Sequence, residues 1–235
     1  DALAQALERH PIKACWFMPT FQNPTGALMP TAKKQALVAL LAAHDVPLVE
    51  DDVYAELYFG ARRPPPAKAF DRQGLVMHCS SVSKCLAPGY RVGWAAAGRY
   101  AREVERLKLM GTLSVAVPSQ VAVLEYLQHA AYDKHLRGLR AALAARQRLA
   151  LAAIARHFPA GTRVTRPQGG YFLWLQLPAA VDALALHRLA LAERISIAPG
   201  HLFSTAPHFH DHLRLNYGHP GDEALDGAIR TLGAL

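Results

Sequence analysis

Cysteine is scarce in this chain of 235 residues, and the three that occur, Cys15, Cys79 and Cys85, have no C-x-x-C spacing. Such a pattern argues against a disulfide framework or a zinc site and favours reduced thiols in a cytoplasm. Long apolar runs are also lacking, because no stretch reaches the roughly 18 apolar residues that a membrane-spanning helix needs. The sequence therefore predicts a cytoplasmic protein that does not cross a membrane.

The chain also lacks an initiating methionine, a signal segment, internal repeats and low-complexity stretches. It begins with Asp1, so we expect it to be a portion of a longer protein. Acidic residues are outnumbered by basic ones, 18 against 26, which gives a net charge of +8 and suits an anionic ligand or nucleic acid. The basic residues are spread along the chain, and the arginine-rich stretch 137–156 has the spacing of a solvated helix face.

Short apolar runs alternate with polar loops in the first part of the chain. Strands are predicted at 12–18, 47–49, 75–79 and 92–97, and a helix at 31–44. A strand, a helix and a second strand in this order imply a right-handed parallel crossover. In open α/β sheets ligands bind at the carboxyl ends of the strands, so the loops that follow these strands are the places to search for chemistry.

The remainder of the chain has a different character. Residues 99–158 read as largely helical, strands are predicted at 163–165, 171–177, 195–198 and 213–217, and helices at 181–193 and from 222. This mixture predicts a second, smaller α+β domain, so we divide the chain into residues 1–130 and 131–235. Trp16, Trp94 and Trp174 all lie in apolar strands and are predicted to pack in the core.

The stretch SSVSKCLAPGYRVGW, residues 80–94, contains a lysine, several hydroxyls and an arginine but no acidic residue. A solvated salt bridge therefore does not explain Lys84. A lysine whose pKa is lowered can attack an aldehyde and hold it as an imine. Pyridoxal phosphate (PLP) requires such a lysine, and it also requires phosphate-binding groups, which Ser81, Ser83 and Arg91 can supply.

Three carboxylates follow the second predicted strand. PLP requires one carboxylate against its ring nitrogen, because the negative charge keeps that nitrogen protonated. Asp51 is placed for this role, although Glu50 and Asp52 compete with it on the sequence alone. Side chains alternate along a strand, so Asp51 points away from both neighbours. Tyr54 and Asn23 can each donate a hydrogen bond to a ring oxygen.

Three histidines near the C-terminus stand at alternate positions, His208, His210 and His212. On a strand they would share one face and could bind a metal ion. The sequence supplies no fourth ligand, so we expect no metal site here.

Taken together, these motifs resemble the fold type I, aspartate-aminotransferase-like family of PLP enzymes, class I/II. The order and spacing match over essentially the whole chain. The matching features are NPTG at 23–26, Asp51-x-x-Tyr54, Ser81-x-x-Lys84, Arg91 seven residues later, and Arg214 within LRLNY. The resemblance implies an α/β fold in which residues 1–130 are the second half of the PLP-binding large domain and 131–235 the small C-terminal domain.

The resemblance also implies a role for each matched residue. Lys84 forms the Schiff base and later shuttles the proton, while Asp51 pairs with the pyridine nitrogen. Asn23 and Tyr54 hold the phenolic oxygen. The phosphate is bound by Ser81 and Arg91, with Ser83 as a further contact, and Arg214 binds the substrate α-carboxylate. Members of the family carry an earlier segment with a phosphate loop and a ring-stacking aromatic residue, and this sequence begins after both, so we expect that segment to precede Asp1.

The sequences of three stretches resemble a narrower group of proteins within this family. EDDVYAELYFG, CSSVSKCLAPGYRVGW and LRLNYGHP are similar to the C-terminal domains of MocR-type regulators of the GntR family. That resemblance implies a domain that senses PLP and an amino acid or amine, a homodimer, and DNA binding only through a winged helix-turn-helix segment that precedes this chain. The alternatives are a free-standing class I/II aminotransferase, which moves an amino group from an amino acid to a 2-oxo acid, and a PLP-dependent lyase.

Overall fold

The computed structural model describes residues 1–129, 131–206, 208–219 and 221–235. Ala130, where the first predicted domain ends, lies outside the described residues. The chain forms two compact units, residues 1–20 with 28–137 and residues 21–27 with 138–235. The short 21–27 segment, which carries the NPTG turn, therefore clusters with the C-terminal part of the chain.

A four-stranded sheet in the order β1-β2-β3-β4 forms the centre of the first unit. Its strands are β1 (Cys15–Phe17), β2 (Leu48–Asp51), β3 (Val76–Ser81) and β4 (Gly93–Ala96). The first three strands are parallel and β4 is antiparallel to β3. The parallel pairing predicted for the first two strands is thus confirmed. The helices of this unit are α1 (Ala2–Arg9), α2 (Thr31–Ala43), α3 (Ala101–Thr112) and α4 (Val117–Gln128).

Helix α2 covers one face of the sheet because its apolar residues recur at helical spacing. Leu37, Val38 and Leu41 are buried and pack in one cluster with Leu48 of β2 and Val76 of β3. Each such side chain contributes about 2 kcal/mol when it is removed from water. The cluster fixes β2 and β3 side by side, and their ends therefore lie along one edge of the sheet.

Asp71 determines where β3 begins. Its Oδ1 accepts hydrogen bonds from the amides of Gln73 and Leu75 at 3.0 and 3.2 Å. Its Oδ2 accepts from the amide of Val76 at 2.9 Å and from Lys68 Nζ at 3.0 Å. Burial by itself raises the pKa of Asp71, but these donors outweigh it and lower the pKa to about 2.

Replacing Asp71 with alanine is expected to lower the free energy of unfolding by about 3 kcal/mol, because three amides and an ammonium lose their acceptor. The native pKa lies below the unfolded value of about 3.9, so the stabilisation is present above that pH and is lost as the pH falls through about 2. Denaturant unfolding of the wild type and the variant between pH 7 and pH 2 measures this. A deficit that stays constant over the whole range would contradict the assignment.

A second four-stranded sheet, entirely antiparallel in its pairings, forms the centre of the other unit, in the order β5-β6-β8-β7. Its strands are β5 (Arg163–Val164), β6 (Phe172–Gln176), β7 (Ala198–Pro199) and β8 (His212–Asn216). The helices are α5 (Ala131–His157), which begins in the first unit, α6 (Ala183–Ala192) and α7 (Asp222–Ala234). Helices and strands thus mix as the sequence predicted.

The strand predicted at 195–198 is displaced. β7 contains only Ala198 and Pro199. The reason lies at the end of α6, where Arg194 adopts a positive φ of 62° and the amide of Ile195 donates to the carbonyl of Ala190. The amide at position 195 therefore closes the helix and does not join the sheet.

Two of the three tryptophans predicted as core residues are exposed, so that prediction is wrong for them. Trp16 of β1 is 72% exposed and Trp94 of β4 is 51% exposed, whereas Trp174 of β6 is buried. All four residues of β4 are exposed, as its place at the edge of the sheet allows. In the part of the chain that the structure describes, no helix combines the length and the apolar character needed to cross a membrane.

Candidate active site

The three consecutive acids at the end of β2 have different surroundings. Glu50 is fully buried and its two carboxylate oxygens accept hydrogen bonds from the amides of Ala67 and Lys68, at 2.6 and 2.9 Å. Asp52 is also buried and is bound by other side chains of the first unit. Asp51, between them, is only partly buried. Alternation along the chain therefore turns Glu50 and Asp52 into the interior on one face of the sheet and places Asp51, which is only partly buried, on the opposite face.

The electrostatics of Asp51 follow from this position. Burial is the largest influence and raises the pKa of its carboxyl, while the amide of Val53, 3.4 Å from Oδ1, lowers it. The negative charge of Asp52 raises the pKa further and the positive charge of Lys84 lowers it. Asp51 and Lys84 are thus near enough for their charges to interact.

Lys84 is also close to the phenol of Tyr54. Its Nζ lies 5.9 Å from the centroid of the Tyr54 ring. Tyr54 is buried and Lys84 is exposed at the surface of the loop after β3. The loop is a compact turn, because the amides of Leu86 and Ala87 both donate to the carbonyl of Val82. The first unit therefore brings together an amine, a carboxylate and a phenol.

The hydroxyls and the arginine of the lysine loop lie in the same part of the first unit. Ser81 is the last residue of β3 and pairs with Gly93, and its Oγ accepts a hydrogen bond from the amide of Ser83 at 3.3 Å. Arg91 is exposed, has a positive φ of 54°, and donates from Nη1 to the carbonyl of Pro88 at 3.2 Å. Ser81 and Ser83 thus form one turn, and Arg91 stands where the chain enters β4.

The second unit brings together the other two predicted site residues. Nη1 of Arg214, on β8, donates to Oδ1 of Asn23 at 2.6 Å. The guanidinium lies 4.3 Å from the centroid of the Phe172 ring and 5.2 Å from that of Phe203. Cation–π contacts with two rings orient the plane of the guanidinium. The peptide bond between Asn23 and Pro24 is cis.

Sequence reasoning missed several residues around these groups. The buried Lys34 and the pair Arg63 and His78, which both contact Asp52, carried no recognisable motif. Phe172 and Phe203 were not associated with Arg214. The only available signal was general: a buried acid requires a cationic or hydrogen-bonding partner, but the sequence does not say which one.

Comparison with known proteins gives a consistent result. The sequence profile of the family described as "Aminotransferase class I and II" matches residues 1–232. The HTH-type transcriptional regulators YdcR and YjiR of Escherichia coli are 49% and 37% identical to the chain, over 100% and 99% of its length. The chain spans about half the length of these curated relatives, 50% of each.

Among solved structures, the chain resembles LysN, an α-aminoadipate aminotransferase from Thermus thermophilus, complexed with N-(5'-phosphopyridoxyl)-L-leucine. The TM-score is 0.93 with 33% sequence identity, and the match covers 100% of this chain and 61% of that one. The fold class predicted from the motifs, an α/β PLP-dependent transferase fold represented in part, is confirmed by this similarity.

Proposed function

Because the chain belongs to the aminotransferase class I and II family, we propose that it binds pyridoxal 5'-phosphate through Lys84 and acts as the effector-sensing domain of a MocR-type regulator of the GntR family. The grouping of Lys84, Asp51 and Tyr54 in the first unit is the observation that carries this proposal. An amine, a carboxylate and a phenol are the side chains that the aldehyde, the ring nitrogen and the phenolic oxygen of PLP require.

The loop after β3 also contains groups that suit the phosphate of the cofactor. Ser81 and Ser83 lie in one turn, and Arg91 follows in the same loop. Hydroxyls, a main-chain turn and a guanidinium are suited to a phosphate dianion. When bound, PLP supplies an electrophilic aldehyde and a protonated ring that withdraws electrons.

Each side chain has its own task in this proposal. The Lys84 amine would attach the cofactor, and the same amine, when it is released, would carry the proton that is moved at the α-carbon of an amino compound. The Asp51 carboxylate accepts the hydrogen bond of the pyridinium N–H. Asn23 and Tyr54 donate to the phenolic oxygen, and Ser81, Ser83 and Arg91 bind the phosphate.

Arg214 receives the α-carboxylate of the amino acid. A guanidinium matches a carboxylate with two parallel hydrogen bonds, and the Phe172 and Phe203 rings together with Asn23 hold its plane. An amino acid is therefore the ligand class that this arrangement favours over a simple amine.

The regulatory role is supported by the relatives of the chain. Two HTH-type transcriptional regulators match nearly its whole length, the first at 49% identity. In this proposal the protein works as a cytoplasmic homodimer, and DNA is contacted by a helix-turn-helix segment that precedes residue 1. The second candidate function is that of a free-standing aminotransferase, which the similarity to LysN favours. A PLP-dependent lyase is a third possibility, since one fold supports several reactions.

Operator binding and turnover separate these functions. We expect the full-length protein to bind DNA that contains the promoter region of its own gene. The affinity for this DNA should change at least about fivefold when PLP and an amino acid are added, as is typical of allosteric coupling. Incubation with amino acids and 2-oxo acids provides the comparison. Rapid formation of a new 2-oxo acid without any DNA binding would replace the regulator with an aminotransferase, and release of ammonia with pyruvate would indicate a lyase.

A further inference from the structure

Behind Asp51, on the other face of β2, lies a buried charged group that the proposed function does not use. We propose that Arg63 and His78 are positioning residues, of which Arg63 gives Asp52 a positive partner and His78 a hydrogen bond, so that the neighbouring Asp51 remains a fixed carboxylate partner for the cofactor's ring nitrogen. This inference rests on the proposed function, because it concerns the same ring nitrogen.

The carboxylate of Asp52 is buried, whereas the Arg63 side chain that contacts it is 39% exposed. The Asp52 side chain is 0% exposed, and its Oδ2 lies 3.0 Å from His78 Nε2 and 3.1 Å from Arg63 Nη2. Because a carboxylate oxygen only accepts, Nε2 of His78 carries the proton in this contact. The other oxygen, Oδ1, is buried and has no hydrogen-bond partner among the residues that the structure describes. The position of the Asp52 carboxylate therefore depends on the two contacts at Oδ2.

The backbone of Asp52 is held as firmly as its side chain. Its amide donates to the carbonyl of Cys79 at 2.9 Å, and its carbonyl accepts from the hydroxyl of Ser80 at 3.2 Å. Both partners belong to β3. Since Asp51 is the preceding residue and pairs in register with Cys79, anchoring position 52 also fixes the direction of the Asp51 side chain.

The negative charge of Asp52 affects the proton affinity of Asp51. Two adjacent acids at the end of a strand repel each other, and the charge of Asp52 raises the pKa of Asp51. An unneutralised Asp52 would raise the proton affinity of Asp51 more than that of a ring nitrogen farther away. A proton shared between Asp51 and that nitrogen would then move towards Asp51, and the ring would lose its positive charge.

The other charged groups around Asp52 must be included. Lys34 of α2 is buried, and its Nζ donates to Thr20 Oγ1 and to the carbonyl of Pro65, both at 2.8 Å. Burial lowers the pKa of Lys34, while the charges of Asp52 and Glu50 raise it.

Two further carboxylates, Glu50 and Glu56, lie near Asp52 or its partners. Glu50 of β2 accepts two main-chain amides, and Glu56 binds Nε of Arg63 at 3.2 Å. Direct contacts at the Asp52 carboxylate come from His78 of β3 and from Arg63. These two residues are therefore the ones to change.

The test uses the full-length protein loaded with PLP that carries ¹⁵N in its ring. Arg63→Met and His78→Leu should each shift the ring ¹⁵N resonance from the pyridinium position towards that of neutral pyridine. Each should also weaken PLP binding by about tenfold, the loss expected when one charge-assisted contact is impaired. Arg62→Met is the matched control, because Arg62 is an exposed neighbour of the same charge, and it should leave both readouts as in the wild type.

Rescue variants distinguish an effect of the Asp52 charge on the ring nitrogen from a loss of protein stability. Asp52→Asn removes the negative charge, so the double variant Asp52→Asn with Arg63→Met should restore the pyridinium resonance. His78→Gln keeps a donor at the Nε2 position and should lose less than His78→Leu. Denaturant unfolding of each variant confirms that it is folded.

The outcomes separate the two levels of the proposal. If wild-type protein and PLP give no absorption band of lysine-bound PLP, the proposed function fails and this inference falls with it. If the band forms but the Arg63 and His78 variants behave like Arg62→Met, the inference alone is wrong. It is also wrong if PLP binding weakens while the ring nitrogen stays protonated, or if Asp52→Asn gives no rescue, since both results describe a purely structural network.

Discussion

Replacing Lys84 with alanine is expected to abolish the visible absorption band of lysine-bound PLP completely in the full-length protein. The reason is chemical, because only a primary amine condenses with the cofactor's aldehyde, and Nζ of Lys84 is the amine placed 5.9 Å from the Tyr54 ring and within reach of the charge of Asp51. Absorption spectroscopy during titration with PLP measures the band. Reduction with borohydride followed by peptide mapping should identify the labelled lysine as Lys84.

Lys33→Ala is the matched control for this experiment. Lys33 is an exposed lysine of α2, so its loss should leave the band intact. A band that survives in Lys84→Ala would place the covalent attachment on another lysine. Loss of the band in both variants would contradict a specific role of Lys84, because Lys33 is an exposed residue of α2 that has no part in the proposed site.

The features that sequence reasoning predicted well were those set by local pattern. Strand alternation predicted that Asp51 points away from Glu50 and Asp52, and in the structure the two neighbours are buried with donors of their own while Asp51 is only partly buried. The helix predicted at 31–44 is present as α2 (Thr31–Ala43), which buries Leu37 and Leu41. In such cases the periodicity of a single element carries the information.

Features that depend on distant partners were not predicted. Asn23 and Arg214 are 191 positions apart, yet their side chains are hydrogen-bonded at 2.6 Å. Nothing in the neighbouring sequence marks Lys34 as buried or His78 as a partner of the Asp52 carboxylate. Trp16 and Trp94 were assigned to the core because apolar strands are usually covered on both faces in such sheets, and the position of a strand in its sheet is not a local property.

Arg214→Ala should weaken the binding of amino acids by about 100-fold while PLP binding changes much less, because the loss of a bidentate charged pair with a carboxylate is worth about 3 kcal/mol. The geometry indicates why a lysine cannot substitute fully. Phe172, Phe203 and Asn23 hold a planar guanidinium, and an ammonium offers neither the plane nor the fork.

The measurement compares dissociation constants of an amino acid and of the corresponding amine without a carboxylate, in PLP-loaded full-length protein. The wild type should prefer the amino acid, Arg214→Ala should bind both with similar weakness, and Arg214→Lys should be intermediate for the amino acid alone. Equal losses for the amino acid and PLP would make Arg214 a structural residue of β8. A wild type that binds the amine as tightly as the amino acid would mean that the guanidinium does not recognise a carboxylate, and the ligand class would then have to be sought among amines.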